Sequence, residues 1–314
     1  MGNQPEEPIM AWGPIIVGVD TSPEAAGAAT LGYRIARDAA VECQLVHTLR
    51  DAWAPFAAVG TPAQVEETQR LQRAVARHQV TEAFRGRVAP ELLESLDVRF
   101  GPAAVVLQHV ARERQAGLLV LGGKHHTALE RWLGGSTSLN VVRTAELPVL
   151  VTARAPSAIR RILVAADLSE AARPTIALAE RFATLVGAQL RVLSVFEPLP
   201  ALAGMPAVDP TSYYDLSEEL LQGEIWPLLK SKSAEKLVRH GMVVETLLRE
   251  ATDWAADLLV VGSHGKGWAQ RVLLGSVTER LLNQLPTSLL VAPVAASASA
   301  DRPQRQAPAA VAAH

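Results

Sequence analysis

Residues 260–282, VVGSHGKGWAQRVLLGSVTERLL, carry the best-defined chemistry in this chain. Gly262 and Gly265 stand where the apolar run Leu258 to Val261 ends. Nine residues then lead to Gly275 and Ser276, and an amphipathic helix opens there. Backbone N–H groups bare of side chains can approach an anion at such a place, and a helix N-terminus favours negative charge. Strand end, glycine loop and helix start together suit a phosphate cradle. The stretch occurs twice: residues 120–142, VLGGKHHTALERWLGGSTSLNVV, align with it at an offset of 140, Gly122 falling on Gly262.

The elements that must position these loops repeat as well. Ile15 to Val19 is an apolar run that ends in Asp20, with Ser22 placed to cap a helix. Arg161 to Ala166 repeats the plan and ends in Asp167 and Ser169, at an offset of 147. A period of this length is a duplicated domain rather than a solenoid unit. The expected organisation is a disordered N-terminus (1–13), a first domain (14–152), a linker (153–158), a second domain (159–294) and a disordered tail (295–314), the tail being rich in Ala, Pro, Gln and Ser. In the first domain, short apolar strands at 15–19, about 44–48, about 96–100, 118–121 and 148–151 alternate with helical stretches. That alternation predicts α/β architecture: two tandem doubly wound, Rossmann-like domains, each a parallel sheet covered on both faces. The offset falls from 147 to 140 within the second domain, a loss of seven residues. With Val244 taken as the third strand, Gly101-Pro102 has no counterpart, and that strand or its helix is expected to be truncated.

Doubly wound sheets bind ligands outside the carboxyl ends of their strands, where the strand order reverses. If the strands ending in Asp167 and Gly262 are neighbours, one crevice holds a carboxylate and a glycine loop. A carboxylate accepts hydrogen bonds from base or ribose donors and repels phosphate. Asp167 therefore suits the nucleoside end, and the loop with Ser276 suits the phosphate end. Ser276 and Glu279 also have the spacing of a capping box.

GSHGKGWAQRVLLGSVTERLL resembles the nucleotide-binding signature of universal stress proteins, Gly-2x-Gly-9x-Gly-Ser/Thr, and Asp167-Leu168-Ser169-Glu170 resembles that family's first strand–helix turn. The resemblance covers about 14–152 and 159–294, as a tandem pair. It implies five-stranded parallel sheets of order 3-2-1-4-5 and binding of ATP, often with a divalent cation such as Mg²⁺. By position it implies nucleotide contacts from Asp167, Gly262, Gly265, Gly275 and Ser276, and an adenine contact from the backbone of Val195. It also implies pairing of the two domains through their last strands, here Val149-Leu150-Val151 and Leu289-Leu290-Val291, as an intrachain pseudo-dimer that a homodimer could extend.

The first copy departs from the pattern. Asp20, Gly122, Gly135 and Ser136 are kept as weaker candidates, but His125 replaces the second glycine, and Thr48 stands where the second half has Val195. A Cβ and an imidazole crowd a loop that must approach phosphate. The first site reads as degenerate.

Composition narrows the remaining classes. A net charge of −2 gives no electrostatic case for nucleic acid or an anionic membrane, and no apolar run reaches the roughly 20 residues that span a bilayer. The one cysteine, Cys43, excludes a disulfide framework and reads as a buried small hydrophobe, which fits a cytoplasmic protein. The P-loop Lys-Ser/Thr and the hydrolase Gly-x-Ser-x-Gly elbow are missing. No general base is poised at the second loop, so binding is favoured over turnover. His125, His126 and His264 lie in separate domains without a spaced carboxylate, which argues against a metal. Asp20 and Asp167 also fit plain turn residues. Three functions stay open: an adenine-nucleotide sensor, an interaction scaffold using the long helices after the second strands, and a slow ATPase.

Overall fold

The computed structural model describes residues 12–50, 61–123, 137–153, 158–198, 210–264 and 274–293. Gly265, Gly135, Ser136, His125, His126 and the tail 295–314 lie outside them. In the first half, β1 (Ile15–Val19) leads through α1 (Pro23–Asp38) to β2 (Cys43–Leu49). Ser22 caps α1 by accepting from the Ala25 N–H, and Pro23 fills the first turn, where its missing N–H costs nothing. Then come α2 (Pro62–Phe84), α3 (Pro90–Glu94), β3 (Asp97–Phe100), α4 (Ala103–Glu113), β4 (Leu118–Gly122), α5 (Thr137–Thr144) and β5 (Val149–Thr152). The second half runs β6 (Arg161–Ala165), α6 (Ala172–Val186), β7 (Gln189–Phe196), α7 (Pro210–Leu220), β8 (Glu235–His240), α8 (Val243–Asp253), β9 (Leu258–Gly262), α9 (Ser276–Gln284) and β10 (Ser288–Ala292).

The strands form one ten-stranded sheet of order β3-β2-β1-β4-β5-β10-β9-β6-β7-β8. Each half is therefore a parallel 3-2-1-4-5 sheet. The halves join where β5 runs antiparallel to β10, Leu150 opposite Leu290. Strand residues alternate between faces, and each face buries its own core. Leu118 and Val120 of β4 share one core with α1, α2 and α6. Leu119 and Leu121 share the other with α4, α5, α8 and α9. Leu150 and Leu290 belong to the first core, while Val149, Val151, Leu289 and Val291 belong to the second. Both cores thus run unbroken across the join.

Two further contacts tie the halves. Trp12 stands edge-on to Phe182 of α6, ring centroids 5.9 Å apart, with the Arg181 guanidinium 4.2 Å from the centroid of its ring. Leu285, in the left-handed region at φ 38°, rests on Gly123, where any Cβ would collide with it.

The third strand of the second half corrects the sequence expectation. β8 has six residues, α8 has eleven as α4 does, and Gly241 (φ 139°) follows β8 as Gly101 (φ 131°) follows β3. Neither strand nor helix is truncated. The missing residues fall before β8, where α7 has 11 residues against 23 in α2. Glu235 to His240 (EKLVRH) lies on a sheet edge and holds only two apolar residues, so it lacks the apolar run that marks a central strand. Val243-Val244, which supplies such a run, is the first turn of α8.

Replacing Leu290 by Ala removes a wholly buried side chain from the join. It is expected to cost about 2–5 kcal/mol. Urea unfolding monitored in both halves should show one shared, earlier transition. A loss confined to the second half would contradict a common core.

Candidate functional site

β6 pairs with β9, Val164 opposite Val260, so Asp167 and Gly262 emerge side by side at the carboxyl end of the sheet. The chain leaves β6 through α6 on one face and leaves β9 through α9 on the other. The strand order reverses there, which opens a crevice between the two strand ends.

Asp167 is held in a turn. Its Oδ1 accepts the Ser169 backbone N–H at 3.1 Å and also the Ser169 hydroxyl. Asp20 does the same for Ser22, with the backbone bond at 2.9 Å. Both aspartates are thus turn residues, one of the two readings that the sequence allowed. For Asp167 that role occupies one oxygen, and Oδ2 has no partner among the described residues. Ser169 does not cap its helix: α6 starts three residues later, with Ala171 at the cap.

Val195 lies one strand over. Ala165 opposes Leu193, and the Ala166 N–H still donates to the Leu193 carbonyl at 3.0 Å. Alternate residues of a strand turn their N–H and C=O to the same neighbour. Val195 therefore turns its backbone groups to the same side as Leu193, beyond the end of β6 and beside Asp167.

Gly262 is glycine for a packing reason that needs no ligand. A Cβ there would lie 3.1 Å from Ala171 Cβ, Thr175 Oγ1 and the His264 carbonyl. At Gly122 it would lie 2.9 Å from the Ala25 nitrogen. In each half this strand end is pressed against the start of the helix that follows the first strand, α6 in the second half and α1 in the first. The loop after Gly262 is pinned at both ends. The Ser263 N–H donates to the Ala292 carbonyl and the Gly275 N–H to the Ser263 carbonyl, both at 2.8 Å.

Gly275, not Ser276, is the cap of α9, and no side chain completes it. The capping box expected from Ser276 and Glu279 is not formed. Ser276 is the first helical residue, exposed, and its hydroxyl has no partner among the described residues. The first amides of a helix have no acceptor within it. The start of α9 thus presents backbone donors and a free hydroxyl.

The sequence reading missed the residue that orients this helix. Thr278 Oγ1 donates to the Gly262 carbonyl at 2.7 Å, and Ser138 does the same to Gly122 at 3.3 Å in the first half. The signal was a hydroxyl two residues after the Gly-Ser in both copies. In the first half, Asp20 and Gly122 occupy the same places as Asp167 and Gly262. His47 bonds the Val19 carbonyl at 2.8 Å through Nδ1, where the second half has Ser194. No cluster that could hold a metal occurs among the described residues. Burial raises the Cys43 thiol to about 12, which removes it as a nucleophile near neutral pH. No described helix is long and apolar enough to cross a membrane.

Fold and crevice define a tandem, doubly wound α/β protein with a glycine-bordered cleft at each strand-order reversal. The profile of the Universal stress protein family matches residues 11–153 and 158–293, and the chain belongs to that family. A universal stress protein of Mycobacterium tuberculosis is 26% identical over 298 residues, covering 88% of this chain and 95% of its own. One from Mycolicibacterium smegmatis is 29% identical over 294 residues, with coverages of 88% and 96%. The crystal structure of a universal stress protein from Archaeoglobus fulgidus shares the fold at a TM-score of 0.58 and 17% identity, over 90% of this chain and 96% of that one.

Thr278→Val keeps the shape and removes the buried bond to Gly262. A loss of about 1–3 kcal/mol is expected, because an unpaired carbonyl is left behind. Thermal unfolding would measure it, and an unchanged midpoint would deny Thr278 its anchoring role.

Proposed function

We propose that the second half binds ATP or a related adenine nucleotide, and that the protein acts in the cytoplasm as a nucleotide-dependent sensor or regulator. One observation carries this reading. The spare oxygen of Asp167, the outward backbone groups of Val195 and the donor-rich start of α9 all meet at the β6–β9 reversal. Asp167 would take ribose or base donors, and the Val195 backbone would read the adenine edge. Gly262, Gly265, Gly275 and Ser276 would cradle the phosphates, with Mg²⁺ offsetting their charge. The proposal is for binding rather than turnover, since Asp167 is given to the nucleoside end and the sequence carries neither the P-loop Lys-Ser/Thr nor the Gly-x-Ser-x-Gly elbow. In the first half, Asp20, Gly122, Gly135 and Ser136 would form a weaker site, or one that no longer binds. Nucleotide binding would favour one conformation or assembly state of the intrachain pseudo-dimer, or of a homodimer built from it.

A second reading rests on a different observation. Leu71 and Val75 of α2 are 53% and 57% exposed, and Leu216 of α7 is 56% exposed. These helices follow the second strand in each half and could serve a scaffold as partner surfaces. Mass spectrometry of the denatured, freshly purified protein separates the readings, because a scaffold carries no adenine nucleotide.

Calorimetry with ATP and Mg²⁺ tests the site directly. Gly275→Val places a branched side chain at the cap, and Asp167→Ala removes the nucleoside acceptor. Each is expected to weaken binding at least tenfold. Equal affinity in the wild type and both variants would reject the assignment.

A further inference from the structure

A cleft of about 740 Å³ lies where the two halves meet, away from the β6–β9 crevice. Its second-half wall is at the amino ends of β6 and β7, around Arg160 and Arg161, whereas the crevice opens at their carboxyl ends. Its first-half wall is one stripe of α1, in which Leu31 and Ile35 give an apolar base and Arg34 and Asp38 the polar rim. The volume falls within the usual range for small-molecule sites, about 300–1,000 Å³.

The lining is basic in a chain of net charge −2. Among the described residues that line the cleft, Arg34, Arg160 and Arg161 stand with one carboxylate, Asp38. The two consecutive arginines are held in place from behind. Asp257 Oδ2 accepts both of their backbone N–H groups, at 2.8 and 3.0 Å. Arg161 Nη1 donates to the Trp254 carbonyl at 2.6 Å. Trp254 is itself fixed by Arg191, whose guanidinium sits 4.2 Å from the centroid of its ring and is paired with Glu250 at 2.7 Å. The Arg160 guanidinium has no partner among the described residues. Arg161 thus offers a braced guanidinium and Arg160 an unpartnered one on a fixed backbone beside it, a pair suited to bidentate capture of phosphate oxygens. The carboxyl ends of α1 and α6 add partial negative charge at the rim, which opposes an anion, so capture must come from the arginines of both halves acting together. A ligand with several phosphates can engage arginines from both halves at once.

We propose that this junction cleft is a second binding site, for a polyphosphorylated small molecule, in which Arg160 and Arg161 of one half and Arg34 of the other clamp the anion. Occupancy would brace α1 against the start of β6 and so reinforce the joined halves. The proposal does not depend on nucleotide binding at the other crevice.

The test is calorimetry of the full chain with inorganic tripolyphosphate, in the Gly275→Val background so that the β6–β9 crevice is impaired. Binding is expected to persist there and to weaken as salt rises. Adding Arg160→Glu should weaken it at least tenfold, whereas Arg160→Lys should retain most of it. Arg160 is exposed, so neither change threatens folding. Arg34→Glu, a second variant from the opposite wall, should weaken binding as well. Absence of binding in Gly275→Val would overturn the proposal, and so would equal affinity with and without Arg160→Glu.

Discussion

Among the described residues eight of the nine strand pairings are parallel, and the ninth holds the rest together. The antiparallel ladder between β5 and β10 closes what would otherwise be two open sheet edges. It also brings Leu150 and Leu290 together in one core, with their neighbours in the other. A parallel sheet needs both faces covered. The join meets that need for the two halves together, because α1 and α6 flank it on one face and α5 and α9 on the other. Each crevice is bordered by strand ends of its own half, β1 with β4 in the first and β6 with β9 in the second.

Much of the fold was legible because the central strands announce themselves. Ile15 to Val19, Leu118 to Leu121 and Leu258 to Val261 are unbroken apolar runs, as strands buried on both faces must be. Ser22 and Pro23 marked the start of α1 in the same direct way. The edge strand β8 was not legible, since an edge faces solvent and Glu235 to His240 carries charges that blunt it. Its counterpart β3, at the other edge, was found because Gly101-Pro102 punctuates its end, while Gly241-Met242 is weaker punctuation.

At the crevice, residue types were easier to read than residue roles. Gly262 stood out as a loop glycine, yet its immediate cause is the start of α6 pressing on the strand end. Ser276 and Glu279 had capping-box spacing, but a cap is decided by which residue leaves helical geometry first, and that is Gly275. Thr278 was overlooked because one hydroxyl inside a helix says little, and its one signal is the repeat at Ser138 in the other copy. Its meaning appears only when the strand-end carbonyl is seen beneath it.

The covalent link between the halves has an evolutionary consequence. In a symmetric dimer of separate chains, each substitution is imposed on both subunits, so a loop cannot be altered on one side alone. Here the chain writes each half independently. Gly265 can be kept while its counterpart becomes His125, and Ser194 can be kept while its counterpart becomes His47. The shared seam penalises only changes that reach the cores. Fusion thus releases one copy to drift or specialise, and leaves it bound to serve as the other's permanent partner.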